Sequence, residues 1–165
     1  MATASKNLSD HNINELPDGK SFCIAIVVSE WNDSITNNLL KGAFSVLEGA
    51  GVKKKNIVVK FVPGSYELAL GAQSLLKSIK KLDAIICLGS IIQGETKHFD
   101  FICNAAAQGI MNVGLSFNKP VIFGVLTDNN MQQAIDRSGG KLGNKGNEAA
   151  VSALKMIALQ NSLKK

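Results

Sequence analysis

Gly94-Glu95-Thr96-Lys97-His98 places two kinds of chemistry within five residues. Backbone N–H groups and a threonine hydroxyl just ahead of a helix can receive a phosphate, because the first helical turn leaves its N–H groups without intrahelical acceptors and favours negative charge. The imidazole of His98, with a reference pKa of about 6.5, can take and give a proton at neutral pH. The plain alternative is that Thr96 caps a helix and His98 is a surface residue. Three further loops hold residues of interest. In Ser29-Glu30-Trp31-Asn32, the chain's only tryptophan offers a plate on which a planar heteroaromatic could stack; it also reads as a half-buried packing residue. In Pro63-Gly64-Ser65-Tyr66-Glu67, a sharp exit leads into a helix start, so main-chain N–H groups and one carboxylate face the same crevice. Glu67 alone is equally well read as compensation of the helix dipole. The fourth loop is Thr127-Asp128-Asn129-Asn130. Arg137 is the one arginine among 18 basic residues, and a lone planar fork in a lysine-rich chain suits either carboxylate or phosphate binding or a structural ion pair.

Several other chemistries lose support. There is no Gly-x-x-x-x-Gly-Lys-Ser/Thr loop and no Gly-x-Gly-x-x-Gly after the first strand, which argues against common nucleotide folds. The third apolar run ends in Cys87-Leu88-Gly89-Ser90, without the aspartate a phosphoacceptor domain needs there. No His, Cys, Asp or Glu set has metal-ligand spacing, so no metal is expected. The net charge of +5 comes from lysines dispersed or in short clusters such as Lys53-Lys54-Lys55, read as a solvated surface and not a nucleic-acid footprint. Cys23, Cys87 and Cys103 each lie in an apolar run and read as buried free thiols. With no membrane-length apolar stretch and a polar Met1 to Lys20 segment, a cytoplasmic protein without membrane contact is expected.

These loops need a scaffold. Four short runs, Phe22–Val28, Ile57–Val62, Ala84–Leu88 and Pro120–Leu126, are apolar at nearly every position, as strands buried on both faces should be. Between them Ile35, Leu39, Ala43 and Val46, then Leu68, Ala72, Leu75 and Ile79, then Phe99, Ile102, Ala106, Ile110 and Val113 recur at helical spacing. Asn32 or Asp33 is placed to cap the first of these helices. A short helix around Met131–Ile135 and a long one from about Gly146 to Leu159 follow, with Ala150, Leu154 and Ile157 on its apolar face. Strand–helix alternation specifies a three-layer α/β/α sandwich on a four-stranded parallel sheet of flavodoxin-like type, and ligands then bind beyond the carboxyl ends of the strands. The length supports a single domain, residues 19–165, preceded by an N-terminal arm over residues 1–18.

Taken together, the loops resemble the lumazine synthase family from about Ser21 to Ala158. The resemblance is carried by Trp31-Asn32 with Leu39-Leu40-Lys41-Gly42-Ala43, Val62 through Leu68, Leu88-Gly89-Ser90 through Gly94-Glu95-Thr96-Lys97-His98-Phe99-Asp100, Pro120 through Thr127, and Arg137-Ser138-Gly139-Gly140-Lys141 with Gly143-Asn144-Lys145-Gly146. It implies condensation of 5-amino-6-(D-ribitylamino)uracil with 3,4-dihydroxy-2-butanone 4-phosphate to 6,7-dimethyl-8-ribityllumazine, phosphate and water, without cofactor. By the same resemblance Trp31 stacks on the pyrimidine, while Asn32, Ser65 and Glu67, with Tyr66, Gly89, Ser90 and Ile91 around them, address its substituents or the ribityl chain. Gly94, Glu95 and Thr96 cradle the phosphate, Arg137 completes the cradle, and His98 shuttles protons. Phe123 and Lys141 are expected from a neighbouring subunit. The family implies pentamers, here expected to close into an icosahedral shell, with riboflavin synthase as a candidate partner. Departures from the family pattern are Trp31 where phenylalanine is commoner, Gln93 where a basic residue is frequent, and the Thr127–Asn130 loop; they bear on affinity more than on activity. A silent flavin-binding module, a lumazine-dismutating enzyme and a scaffold are the competing readings.

Overall fold

The computed structural model describes Ser9, Asn12 and residues 15–164. The apolar runs form four parallel strands, β1 (Ile24–Ser29), β2 (Ile57–Val62), β3 (Ala84–Ile92) and β4 (Val121–Asp128), in the order β2-β1-β3-β4. Between them lie α1 (Asp33–Gly49), α2 (Leu68–Ser78) and α3 (His98–Phe117), followed by α4 (Met131–Arg137) and α5 (Lys145–Ser162). This is the expected three-layer, flavodoxin-like sandwich.

The alternation of side chains along a strand divides the core in two. On β1, Ile24, Ile26 and Val28 face α1 and α5, joined there by Ala84, Ile86 and Leu88 of β3. Ala25 and Val27 face α2 and α3 together with Ile85 and Cys87. Each fully buried aliphatic side chain contributes about 1.5–3 kcal/mol, so central strands with no polar face are held from both sides. The predicted face of α1 is buried at Ile35, Leu39, Ala43 and Val46, and that of α5 at Ala150, Leu154 and Ile157. On α2 the third buried position is Leu76 and not Leu75, which packs only partly.

Strand bounds differ from the apolar runs for physical reasons. Pro120 lacks an N–H and β4 begins at Val121, although the Pro120 carbonyl still accepts from Ile85 N at 2.8 Å. β3 and β4 continue past the expected ends through pairs Ser90↔Leu126 to Ile92↔Asp128, because ladder pairing does not require apolar side chains. The compact turn after α4 is a two-stranded antiparallel hairpin, β5 (Ser138–Gly140) and β6 (Gly143–Asn144), with Gly139 and Gly143 at φ of 120° and 85°, a region that favours glycine. Asn130 and Asn144 cap α4 and α5, accepting from Gln133 N at 3.0 Å and Gly146 N at 2.8 Å.

Of the arm expected over residues 1–18, residues 1–8, 10, 11, 13 and 14 lie outside the described residues. Ser9 Oγ donates to the Asn144 carbonyl at 3.1 Å and accepts from its N–H, and Leu16 packs against the α1 and α5 side of the core. No helix among the described residues is long and apolar enough to cross a membrane.

Candidate active site

The sheet opens at its carboxyl end onto a cavity of about 940 Å³, at the upper end of the range for small-molecule pockets. Four segments build it. β1 leads into Trp31 and Asn32; the turn after β2 supplies Gly64, Ser65, Tyr66 and Glu67; the end of β3 supplies Ser90, Ile91 and Ile92; and the approach to α3 supplies Gly94, Thr96 and His98. The three loops that sequence reasoning singled out for stacking, polar contacts and anion binding therefore share one wall-to-wall space.

Local bonding fixes these segments. Glu30 N donates to Val62 O at 2.8 Å and Trp31 N to Pro63 O at 3.2 Å, carrying the β1–β2 connection past the strand ends. Trp31 stays 73% exposed and Tyr66 60% exposed at the cavity, an unfavourable state for large aromatics unless something covers them. A short 3₁₀ turn (Ser65–Glu67) starts α2 and buries Ser65 against the backbone of Gly89. A β-carbon on Gly89 would lie 2.5 Å from Ser65 Oγ and 3.0 Å from Leu68 Cδ1, so only glycine admits this approach. Gly89 thus underlies the cavity wall without lining it.

At the start of α3, His98 N donates to Thr96 Oγ1 at 3.4 Å, a long cap bond, and His98 is exposed at the cavity rim. A β-carbon on Gly94 would meet nothing within 4 Å, leaving room beside the backbone. Glu95 is exposed and does not line the cavity. Ile92, Phe99, Ile102 and Met131 do line it, and sequence reasoning missed them as site residues. Phe99 and Ile102 carry the helical spacing of a core face, but this first part of α3 overhangs the sheet end, so the same face meets the cavity.

Arg137, Phe123 and Lys141 are not among the residues that line this chain's cavity. Arg137, 12% exposed, pairs with Glu148 Oε1 through Nη2 at 2.9 Å and donates from Nη1 to Leu142 O at 3.0 Å. Lys145 Nζ lies 3.0 Å from Glu148 Oε2, and Lys141 Nζ 3.1 Å from Asp136 Oδ2. Phe123 packs half-buried on β4 against the α2 and α3 side of the core. The hydrogen bond from Gln132 and then the partnership with Lys141 hold the Asp136 carboxyl below the usual carboxylate range. Burial pushes Asp128 up, opposed by the Arg137 charge, and its Oδ2 accepts no hydrogen bond.

The thiols stand apart from this chemistry. Complete burial pushes Cys87 up to about 12, and burial also raises Cys23 and Cys103, so none is a thiolate at neutral pH. Cys103 is only half-buried on α3, short of the full burial its apolar run suggested. Among the described residues no three His, Cys, Asp or Glu side chains come together as a metal site.

A planar stacking surface, an imidazole and a helix N-terminus around one cavity suit the joining of a flat heterocycle to a small phosphorylated molecule. Comparison with known proteins points the same way. A family model described as 6,7-dimethyl-8-ribityllumazine synthase matches residues 21–161. Proteins of that name are similar to the chain along nearly all of both lengths. The one from Cytophaga hutchinsonii is 58% identical, covering 96% of this chain and 98% of that protein. Those from Parabacteroides distasonis and Christiangramia forsetii are 53% and 51% identical, covering 95% and 99% of this chain and 98% of each protein.

Proposed function

This chain belongs to the 6,7-dimethyl-8-ribityllumazine synthase family, and from that premise we propose how its own residues divide the labour of the reaction. It is an enzyme of riboflavin biosynthesis, a transferase that condenses 5-amino-6-(D-ribitylamino)uracil with 3,4-dihydroxy-2-butanone 4-phosphate. The products are 6,7-dimethyl-8-ribityllumazine, phosphate and water.

The observation that supports the residue assignment is the convergence of Trp31, Gly94, Thr96 and His98 on one cavity. The pyrimidine stacks on Trp31, and Asn32, Ser65, Tyr66, Glu67, Ser90 and Ile91 surround its substituents and the ribityl chain. The phosphate lies at the Gly94-Glu95-Thr96 backbone. The ring's 5-amino group attacks the ketone and expels water as an imine; phosphate leaves; the ribitylamino nitrogen then closes the second ring with loss of water. Each step moves a proton, and His98 at the rim is the group that takes it and returns it. Holding both reactants in one cavity supplies the remaining advantage, since a bimolecular encounter becomes an intramolecular one.

Arg137, Phe123 and Lys141 complete the site from an adjoining copy. Their location off this chain's cavity supports that arrangement, as do Leu70, Phe101, Met111 and Leu115, exposed apolar side chains on α2 and α3 that a second copy would cover. The copies form pentamers that close into an icosahedral shell in the cytoplasm, with riboflavin synthase as partner. Purified protein given both substrates should produce the fluorescence of the lumazine, and particle sizing should return a multiple of five chains. Absence of lumazine would overturn the assignment of the site, and a monomer with full turnover would overturn the shared site.

A further inference from the structure

Asn32 departs twice from what a helix start calls for. The residue ahead of a helix normally has extended backbone, and an asparagine there normally turns its side-chain oxygen onto the helix's first N–H groups. Asn32 instead lies in the left-handed region, at φ 59° and ψ 49°, and its side chain makes no cap bond to α1. The other non-glycine residue with positive φ among the described residues, Asn118, ends α3, where that conformation is ordinary.

The displaced side chain has a different partner. Asn32 Nδ2 donates to the Ser90 carbonyl at 3.0 Å. The pairing of β1 with β3 ends at Val28↔Leu88, so Ser90 lies beyond the last strand partner on that side, and the Asn32 amide satisfies a carbonyl the sheet leaves open. The Asn32 carbonyl meanwhile accepts from Ile35 N at 2.9 Å and Thr36 N at 3.0 Å, so the same residue begins α1. Trp31, the neighbour held between this anchor and Pro63 O, remains 73% exposed, so little of its direction can come from burial.

We propose that Asn32 is the positioning residue for Trp31: its left-handed backbone and its amide bond to the Ser90 carbonyl set the indole over the cavity, and affinity for the pyrimidine depends on that placement. This rests on the proposed stacking of the pyrimidine on Trp31. One amide N–H is committed within the protein, which leaves Oδ1 and the second N–H of Asn32 to meet a ligand.

The chain has one tryptophan, so its emission reports on Trp31 alone. The test measures indole anisotropy and quenching in the assembled full chain during titration with 5-amino-6-(D-ribitylamino)uracil, beside the KM for each substrate. Asn32→Ala should lower the anisotropy and raise the Kd and KM for the pyrimidine about tenfold, the size expected for losing one anchoring hydrogen bond and the favoured backbone. The KM for the phosphorylated substrate should move much less. Asn32→Gly, which accepts the left-handed backbone but lacks the amide, should fall between Asn32→Ala and the native chain, and it answers the question if Asn32→Ala does not fold. Asn32→Asp, with an oxygen facing the Ser90 carbonyl, should be at least as impaired as Asn32→Ala. Native anisotropy in Asn32→Gly and Asn32→Asp would overturn the proposal whatever the KM values do, because a rise in the pyrimidine KM alone is what losing a direct contact from Asn32 would give. If the native chain forms no lumazine while its indole anisotropy still depends on Asn32, the positioning stands and the reading of the reaction falls.

Discussion

Arg137 and Glu148 join two elements across the hairpin: the guanidinium at the end of α4 lies 2.9 Å from the carboxylate in the first turn of α5. Both side chains are largely shielded from water, and the guanidinium's other bond goes to the Leu142 carbonyl within the connecting turn. A planar fork can serve the carboxylate and the carbonyl together, and an ammonium at the same place reaches one at a time. The same residue is assigned to the phosphate, so structural and binding roles meet in one side chain.

Arg137→Lys should therefore lose stability and affinity together. Exchanging the fork for a point charge is expected to cost up to about 1.5–3 kcal/mol, the worth of a hydrogen bond to a charged group. At roughly 2–4 °C per kcal/mol for a chain of this length, calorimetry should detect a lowered Tm. The KM for the phosphorylated substrate should rise. If only Tm changes, Arg137 is an ion-pair partner and does not touch phosphate.

His98→Ala should reduce kcat by about ten- to a hundredfold or more, the larger losses reaching the roughly hundred- to ten-thousandfold that a positioned acid or base typically supplies. Because His98 is exposed, stability should change by no more than about 0.5 kcal/mol. Turnover equal to that of the native chain would take the imidazole out of the proton transfers.

Asp128→Asn tests the buried carboxylate at the end of β4. Its folded pKa lies above the unfolded value, so between the two the folded state holds the extra proton, and stability falls as pH rises through that window. Above it, the ionised carboxylate opposes folding. The amide variant should melt at higher temperature than the native chain at pH 7, with the difference vanishing as pH falls below 3.8. A variant less stable at pH 7 would mean that attraction to Arg137 outweighs the desolvation.

Gly89→Ala should disturb the cavity from beneath. The added methyl meets Ser65 Oγ and the Leu68 side chain, and such overpacking costs typically about 1–3 kcal/mol. The KM for the pyrimidine should rise with it, because Ser65 must move. Unaltered melting and an unaltered KM would show that the β2–α2 turn yields without loss.

Much of the scaffold was legible because its cause is local. The Phe22–Val28 run has the composition of a strand buried on both faces and is buried throughout, and Ile35, Leu39, Ala43 and Val46 have the period of a buried helix face. The Ile57–Val62 run forms a strand too, but β2 lies at the sheet edge and is buried only at Ile57, with Lys60 and Phe61 exposed. What escaped sequence reasoning depends on distant partners. β3 continues through Gly89 and Ser90 because β4 lies beside it, and Ser138–Asn144 closes as a hairpin through positive-φ glycines, which a reader of residue types sees only as a turn. Asn32 looks like a cap, and only the position of the Ser90 carbonyl shows where its amide goes. In the site, the loops around Trp31, Ser65 and Thr96 were legible because parallel sheets bind ligands at that end. Phe99, Ile102 and Met131 were not, since an apolar residue over a cavity and one over a core share a spacing.

The contact of Gly89 with Ser65 bears on how this cavity can change through descent. A methyl group at position 89 collides with the hydroxyl at position 65, so a new side chain at the floor is less costly to a lineage once the turn has changed. The two positions are coupled: replacement at 65 by something smaller relieves part of the collision at 89, where the Leu68 side chain still resists, and a side chain gained at 89 raises the cost of restoring serine at 65.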